Sequence, residues 1–336
     1  MKDLNKKEPA IYLISTNRSG GKTTGACKNV LEDFKKDGSQ FILLFRYSYE
    51  LSGSNLIFED VLRLYSDLGH EMITKPHSKG LFYELILDGE TCGYSISMSN
   101  PDSLKKYSPV FANVKTIIMD EFQKEDGKYL SNEPRRLQSI YLTVARGGGE
   151  QSRHVKVFLL GNMITIMNPY FIYFGIHKRL KPDTKFMRGN GWVAEFGFIK
   201  SASDSIKNNS FFDAFKNDDY MSCSTEKVYM IDSKVFIKKP SGRAKYICTI
   251  IYDKKAYGVR DYFDEGIVYI SNKPDRDCKQ VITFKASDHT QNTIMLSHFS
   301  YTWKFIKDSF QNGTLRFDDE KTKSCIFDII GVDLYK

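Results

Sequence analysis

The residues with the clearest chemical potential lie in the segment STNRSGGKTT, residues 15–24. A phosphate loop needs backbone N–H groups around phosphate oxygens, a lysine that reaches the outer phosphates, and a hydroxyl that binds Mg²⁺. The last four positions of the pattern GxxxxGK[ST] are supplied by Gly20, Gly21, Lys22 and Thr23. This spacing predicts a site for a nucleoside triphosphate and Mg²⁺.

One position of the loop departs from the pattern. Thr16 stands where the first glycine is expected, and a glycine there eases the turn out of the preceding strand. Thr16 therefore predicts either a strand that runs further or a loop of altered shape. The context still favours nucleotide binding, because the loop follows an apolar run and opens a helical pattern, which directs the helix N-terminus at an anion.

A pair of carboxylates supplies the second element of phosphate chemistry. Asp120 and Glu121 directly follow the apolar run 115–119. In P-loop enzymes a carboxylate near the loop helps to hold Mg²⁺, and hydrolases also need a residue that orients the attacking water. We assign the first role to Asp120 and the second to Glu121. Alone, the pair would be ordinary solvated loop residues, but beside a phosphate loop it predicts a hydrolase rather than a kinase.

Arg146 follows a helical pattern that begins after Asn132. It lies about 200° around the helix from Val144, since each residue turns about 100°, and so points away from the buried face. One interpretation is an arginine finger that stabilises charge on a neighbouring subunit's γ-phosphate. The other, which the position alone favours, is a cation that complements the helix C-terminus. Weaker candidates for the finger are Arg135, Arg136 and Arg153.

These residues need strands that hold them at one edge of a sheet. Short apolar runs alternate with amphipathic stretches between residues 11 and 161, which is typical of a mostly parallel sheet covered by helices. Asn162 follows the last run, where it could sense the γ-phosphate, although asparagine is also a common turn residue. The predicted buried strands are residues 11–15, 40–46, 115–119 and 155–161.

Two further elements of the first half have clear signals. Asp88 and Gly89 stand between two apolar runs, and this residue pair suits the type I′ turn of a hairpin. Gly38 follows a lysine pair and predicts the end of a helix. The apolar side of that helix is formed by Ala26, Val30, Leu31 and Phe34.

The character of the chain changes near residue 200. Residues 201–226 are rich in Ser, Asn and Asp with little periodicity, which predicts a linker between a first domain, 1–200, and a second, 227–336. In the second domain, four apolar runs separated by turn residues predict an antiparallel meander. These runs are residues 227–239, 244–253, 256–263 and 266–271.

A helix that covers the meander is indicated by a 3-4-3-4 apolar spacing. Its residues are Leu296, Phe299, Trp303, Ile306 and Phe310. With the apolar run 314–318 and a final helix, this is the element order of a ribonuclease-H-like fold. The sequence thus predicts an α/β P-loop NTPase domain followed by a smaller α+β ribonuclease-H-like domain.

Composition narrows the classes of function. The 336 residues are 41% hydrophobic, which suits two folded domains. No apolar stretch approaches the roughly 18 residues that cross a bilayer, so we expect no membrane role. The six cysteines have no CxxC spacing and are expected to be reduced cytosolic thiols. A net charge of +8 permits a nucleic-acid partner without proving one.

Three functions compete. The first, which is implied by the resemblance described below, is an ATP-driven translocase of double-stranded DNA, for which Arg146→Ala would abolish hydrolysis while nucleotide still binds. The second is a P-loop phosphotransferase acting on a small molecule, which would be favoured if Glu121→Gln left the activity largely intact. The third is a nucleic-acid-binding protein with an inactive P-loop, to which Thr16 points and which would fail to bind Mg·ATP.

Several segments together resemble the DNA-packaging ATPases of small tailed phages with protein-primed linear genomes. In order, they are TNRSGGKT, TIIMDEF, the pair NE thirteen residues before Arg146, GNMITIMNPYF, KVFIKK and LRFD. The resemblance covers most of the chain, roughly Ile11 to Asp318. The resemblance is specific because unrelated stretches agree in both order and spacing.

The resemblance implies a terminase-like motor that forms a homopentameric ring on the portal of a viral prohead in the host cytoplasm. There it uses ATP and Mg²⁺ to drive double-stranded DNA inward, with a packaging RNA as a further partner. The implied catalytic residues are Glu121, Arg146 and Lys22, the nucleotide-binding residues are Arg18, Gly20, Gly21, Lys22, Thr23 and Asn162, and the metal ligands are Thr23 and Asp120.

The second half of the chain raises two further expectations. In the resembled family the C-terminal domain is similar to a nuclease that has lost its activity. A two-metal nuclease needs carboxylates that converge on ions about 4 Å apart, so we expect a non-catalytic domain that docks nucleic acid. The basic run 178–188 either contacts phosphates or faces solvent. The scattered aspartates of the meander are Asp232, Asp253, Asp261 and Asp264.

Around Arg46, the sequence differs from the family pattern. Phe45 and Ser48 stand where the resembled family has basic residues. Contacts across the subunit ring are therefore expected to differ.

Overall fold

The chain folds into two units that alternate along the sequence. A computed structural model describes residues 1–125, 129–146, 151–166, 168–181, 183–215, 239–296, 300–312 and 314–334. The first unit comprises Met1–Gln123, Asn132–Met163 and Leu180–Lys227, and the second comprises Lys124–Ser131, Ile164–Arg179 and Val228–Lys336. Two short segments that precede residue 180 thus belong to the second unit.

The strands of the first unit are β1 (Ile11–Thr16), β2 (Gln40–Phe45), β3 (Met72–His77), β4 (Phe82–Leu87), β5 (Glu90–Ser97), β6 (Val114–Met119), β7 (Lys156–Asn162), β8 (Phe186–Gly189) and β9 (Trp192–Phe196). Within the described residues they form one sheet in the order β3-β4-β5-β2-β6-β7-β1-β9-β8. Along this order, every neighbouring pair from β5 through β2, β6, β7 and β1 to β9 is parallel. Antiparallel strands lie at both edges, with β3 and β4 at one and β8 at the other. The four predicted core strands are neighbours in this sheet, which confirms the mostly parallel arrangement.

The helices of the described residues are α1 (Lys22–Asp37), α2 (Leu56–Leu64), α3 (Pro101–Leu104), α4 (Glu133–Val144), α5 (Pro169–Tyr173), α6 (Lys200–Lys207), α7 (Ser210–Phe215), α8 (Tyr301–Gln311) and α9 (Glu320–Leu334). Short 3₁₀ segments occupy Ser48–Gly53, Ser66–Leu68, Lys105–Phe111 and Ala286–Asp288. Among these helices, none combines the length and the apolar character that a membrane crossing requires. Helices α6 and α7 lie largely within the predicted linker.

Local signals in the first half are confirmed. Gly38 ends α1 with φ 73° and donates its N–H to the carbonyl of Phe34 at 2.8 Å, because an αL residue closes a helix end most easily as glycine. Asp88 and Gly89 join β4 to β5 with φ values of 50° and 91°, as the type I′ turn requires. Strands β3, β8 and β9 were not predicted.

The first unit is held by apolar side chains from both sheet and helices. Helix α1 contributes Cys27, Val30 and Leu31, which pack with buried residues of β2, β6 and β7 and of α2. Because β2 is covered on both faces, its central residues are almost all buried, and this explains its unbroken apolar sequence. The phosphate loop therefore starts and ends on rigid elements.

The second unit has its own sheet, formed by β10 (Lys245–Tyr252), β11 (Lys255–Tyr262), β12 (Ile267–Ser271), β13 (Val281–Thr283), β14 (Ile294–Met295) and β15 (Leu315–Phe317). Among the described residues, the order is β14-β13-β10-β11-β12-β15. The antiparallel meander of β10, β11 and β12 is confirmed. Residues 227–238 of the first predicted run lie outside the described residues. Strand β15 pairs in parallel with β12, and the unpredicted β13 lies beside β10.

The predicted covering helix is present, but its start was wrong. Helix α8 begins at Tyr301, and Trp303 and Ile306 are buried in the core of this unit. Leu296 instead continues the strand ladder, since its N–H bonds the carbonyl of Thr283 at 3.0 Å. The apolar spacing could not reveal this, because Leu296 also packs against the core from an extended backbone. Phe299 lies outside the described residues.

Candidate nucleotide-binding site

A cleft of about 300 Å³ lies in the first unit, where β1, β6 and β7 end and α1 begins. It contains every residue assigned to the site from the sequence except Arg146. Its lining residues are Arg18, Ser19, Gly20, Gly21, Lys22, Thr23, Thr24, Asp120, Glu121, Gly161 and Asn162. The parallel sheet causes this convergence, since the carboxyl ends of its strands share one edge.

The phosphate loop between β1 and α1 is tightly turned. Ser19 and Gly21 adopt left-handed backbone angles, with φ values of 58° and 70°. Gly20 has little room, because an added Cβ would lie 2.7 Å from Cδ1 of Ile199 and 3.2 Å from Oγ1 of Thr16. Helix α1 then starts at Lys22, and no side chain of the described residues caps its N-terminus. Its first N–H groups therefore remain suited to an anion.

At Thr16, where the loop pattern has a glycine, the structure distinguishes a longer strand from a loop of altered shape. Strand β1 continues through Thr16, which pairs in register with Asn162 at the end of β7. The backbone of Thr16 is not in the left-handed region, so the side chain causes no strain. Its hydroxyl donates to the carbonyl of Asn17 at 3.0 Å. The strand is longer, and the turn begins only after Thr16.

The ammonium of Lys22 lies inside the loop and bonds three acceptors. They are Oγ1 of Thr16 at 2.9 Å, the carbonyl of Asn17 at 3.1 Å and Oδ1 of Asn162 at 3.1 Å. Loss of solvent around the ammonium lowers the pKa of Lys22, the charge of Arg18 lowers it further, and Asp120 acts in the opposite direction. Poor solvation of this cation favours its pairing with an anionic phosphate.

Thr23 and Asp120 form the oxygen pair that a magnesium ion would need. Oγ1 of Thr23 donates to Oδ2 of Asp120 at 2.6 Å, and Oδ1 of the same carboxylate accepts from the N–H of Glu121 at 2.9 Å. Mg²⁺ prefers oxygen ligands and keeps several waters, so it uses few protein groups. A hydroxyl and a carboxylate in contact at the cleft fit this requirement.

Glu121 lies exposed at the rim of the cleft in a left-handed conformation with φ 53°. Its backbone is held by Arg46, which donates to the carbonyl of Glu121 at 2.6 Å and to that of Phe122 at 2.7 Å. Arg46 also forms a bidentate ion pair with Glu133 at 2.9 and 3.1 Å. The two side chains are 5% and 0% exposed.

Arg46 and Glu133 were not assigned to the site from the sequence. The two residues are 87 positions apart, and neither is part of a motif for phosphate chemistry. For Arg46, the signal available was its position directly after the apolar residues 41–45 of β2. Arg46 lies between Phe45 and Ser48, where contacts across the subunit ring were expected to differ. Its side chain is instead buried within its own unit.

Two side-chain amides tie the loops of the cleft to neighbouring segments. Asn17 is fully buried; its side chain donates to the carbonyl of Ile199 at 3.1 Å and accepts from the N–H of Ile199 at 2.8 Å. Gln123 donates to Oγ of Ser15 at 3.0 Å. The Asn17 bonds hold the phosphate loop against the segment between β9 and α6, and the Gln123 bond holds the segment after Glu121 against β1.

Arg146 lies two residues beyond α4, is exposed, and does not line the cleft of its own chain. Its carbonyl accepts from Oγ of Ser108 at 3.3 Å, and the same hydroxyl donates to the carbonyl of Thr143 at 2.8 Å. On the same face of α4, one turn earlier, Leu142 is 53% exposed. The expected outward direction of Arg146 is therefore confirmed.

The rival arginines differ from Arg146 in their surroundings. Arg136 donates to the carbonyls of Met98 and Ser99, each at 2.9 Å. Arg153 donates to the carbonyls of Phe111, Val114 and Val144, so it fastens the end of α4 to the preceding segments. Arg135 is exposed on α4. Asn132 precedes α4 as predicted, with φ 53°, although its side chain does not cap the helix.

The second unit shows no comparable centre within the part of the chain that is described. No group of three His, Cys, Asp or Glu residues there could hold a metal ion. Asp253 pairs with Lys285 at the turn between β10 and β11, while Asp261 and Asp264 lie in β11 and in the turn after it. Asp232 lies outside the described residues. In the basic run, Lys178 pairs with Asp328 at 2.6 Å.

Comparison with known proteins reveals extensive similarity. The family model described as podovirus DNA encapsidation protein (Gp16) matches residues 2–332. The DNA packaging protein of Bacillus phage phi29 is 29% identical over 302 residues, which is 88% of this chain and 86% of the relative. That of Bacillus phage B103 is 29% identical over 325 residues, 95% and 94% of the two chains.

A solved structure agrees with this similarity. A chain of the bacteriophage Phi-29 viral genome packaging motor assembly aligns with a TM-score of 0.54 and 26% identity. The alignment covers 97% of this chain and 96% of that one. Both units therefore take part in the match.

Proposed function

The chain belongs to the family of podovirus DNA encapsidation proteins and is a DNA-packaging ATPase, and from this premise we propose how its residues divide the work. It hydrolyses ATP to drive viral DNA into a preformed prohead. The observation that carries the proposal is the convergence of Lys22, Thr23, Asp120, Glu121 and Asn162 on one cleft. Neither a phosphotransferase nor an inactive P-loop gains support from the relatives.

The phosphate loop and Lys22 bind the phosphates of ATP. The N–H groups of the loop and of the start of α1 surround the phosphates, and Lys22 pairs with the outer ones. Arg18 lines the same cleft and adds positive charge. Asn162 contacts the Lys22 ammonium, a position from which its amide can sense whether a γ-phosphate is present.

Thr23 and Asp120 would hold Mg²⁺, directly or through its waters. The ion would neutralise charge on the phosphate oxygens. The carboxylate of Glu121 would orient the attacking water and accept its proton. Its exposed position at the rim suits a group that must reach a water beyond the phosphates.

The remaining assignments concern the assembly. Arg146 completes the site of a neighbouring subunit in a ring, for which the resemblance implies a pentamer. Its exposure and its absence from the lining of its own cleft support this role. The ring acts in the host cytoplasm, docked on the prohead portal, with double-stranded DNA and a packaging RNA as partners. Residues 227–336 form a non-catalytic domain that docks nucleic acid.

A mixing experiment tests the catalytic assignments. Steady-state ATP hydrolysis is measured with and without double-stranded DNA for the wild type, Glu121→Gln, Arg146→Ala and the control Arg135→Ala. Both site variants should bind Mg·ATP and lose at least about 100-fold in rate, whereas the control should stay near the wild type. Mixed together, the two inactive variants should regain activity, because some interfaces then combine an intact Glu121 with an intact Arg146.

Each alternative predicts a different pattern. If Arg146 acted within its own subunit, the mixture would remain inactive. If Glu121→Gln kept most of its activity, the hydrolase assignment would fail. A DNA-independent rate that does not change with protein concentration would contradict the ring.

A further inference from the structure

Three acceptors bond the Lys22 ammonium, and we call them the lysine seat. They are Oγ1 of Thr16, the carbonyl of Asn17 and Oδ1 of Asn162. Thr16 and Asn162 are register partners at the ends of adjacent strands. An ammonium has three donors, and the seat offers three acceptors at 2.9–3.1 Å. A phosphate oxygen can bond Lys22 only after at least one of these bonds is lost.

The hydroxyl of the seat exists because Thr16 replaces a glycine. The usual loop pattern has no side chain at this position, so its lysine has no such partner there. Thr16 is 4% exposed, and its hydroxyl is further aligned by donating to the carbonyl of Asn17. A buried, oriented acceptor bonds a cation more strongly than a mobile surface group does.

We propose that Thr16 is a positioning residue that holds Lys22 in the lysine seat while no nucleotide is bound, and so weakens nucleotide binding. This inference rests on the proposed function of the cleft. Nucleotide must compete with the seat for Lys22, and the seat recaptures Lys22 as product leaves. The substitution at the loop thus favours release of nucleotide without removing any group that contacts phosphate.

Calorimetric titration with Mg·ADP tests the proposal on the full chain. Thr16→Val keeps the shape of the side chain and removes the hydroxyl, and Thr16→Ser keeps the hydroxyl. Hydrogen bonds to charged groups are strong, so loss of the Thr16 hydroxyl makes Lys22 more available to phosphate. Thr16→Val should therefore lower the Kd for Mg·ADP by about three- to tenfold. Thr16→Ser should bind like the wild type. Equal or weaker binding by Thr16→Val would overturn the proposal. If Thr16→Val fails to fold, Thr16→Ala replaces it with the same expectation.

A second measurement does not depend on nucleotide. Acetylation of Lys22 by acetic anhydride is followed by mass spectrometry in the absence of nucleotide. Loss of the seat should speed this reaction in Thr16→Val relative to the wild type and Thr16→Ser, and an unchanged rate would contradict the seat. If the wild type binds no Mg·ADP, the proposed function fails, while the acetylation rates still decide the role of Thr16.

Discussion

Removal of the Arg46 guanidinium should both destabilise the first unit and impair hydrolysis. Arg46→Met leaves the Glu133 carboxylate without its cation at a site where the two side chains are 5% and 0% exposed. Breaking a buried ion pair from one side costs about 3–5 kcal/mol. The carbonyls of Glu121 and Phe122 lose donors as well, so we expect a loss of at least about 3 kcal/mol.

A double variant separates the stability effect from the catalytic one. Arg46→Met with Glu133→Leu removes both charges, and replacing a whole buried pair by apolar residues is often neutral. Stability should therefore return to within about 1–2 kcal/mol of the wild type. Hydrolysis should stay at least about tenfold low, because misplacement of a catalytic group by as little as 1 Å is costly and the carbonyls of Glu121 and Phe122 then lack the donors that Arg46 supplied.

The assays are urea unfolding followed by the transition midpoint, and steady-state ATP hydrolysis below the transition. Arg63→Met is the matched control, because Arg63 pairs with Asp60 at a site where the side chains are 77% and 71% exposed, and such pairs contribute about 0–1 kcal/mol. A cost below about 1 kcal/mol for Arg46→Met would refute the buried-pair reasoning. Full activity of the double variant would show that Arg46 does not position Glu121.

Two further predictions concern packing. Gly93→Ala should destabilise the first unit by about 2 kcal/mol or more, since its Cβ would lie 2.5 Å from the backbone carbonyl of Phe41. Gly25→Ala, which meets nothing within 4 Å on α1, should instead stabilise by about 0.5–1 kcal/mol; equal unfolding midpoints would contradict both. Native protein treated with iodoacetamide at pH 8 should be labelled at the partly exposed Cys278 and Cys325, and labelling of the buried thiols before unfolding would show that the cores open. Burial raises the pKa of those thiols to about 12; they are Cys27, Cys92 and Cys248.

The elements that carry the chemistry follow from local sequence patterns. Lys22 and Thr23 follow a buried strand and open a helix, and Asp120 and Glu121 follow another buried strand. These relations are local, because strand and helix periodicities and turn residues act over a few positions. Parallel pairing then brings the strand ends to one edge, so the cleft could be predicted without knowledge of the full sheet order.

How these groups are held depends on contacts between residues that are distant in the sequence. Arg46, Glu133 and the Glu121 turn meet only because β2 is adjacent to β6 and α4 returns to the same edge. The Thr16 hydroxyl became a partner of Lys22 because β1 and β7 end in register. Contacts between distant residues also explain why Leu296 extends a strand ladder. They explain as well why Lys124–Ser131 and Ile164–Arg179 belong to the second unit. Such contacts depend on which distant residues fold against each other. The spacing of apolar residues along the chain does not predict them.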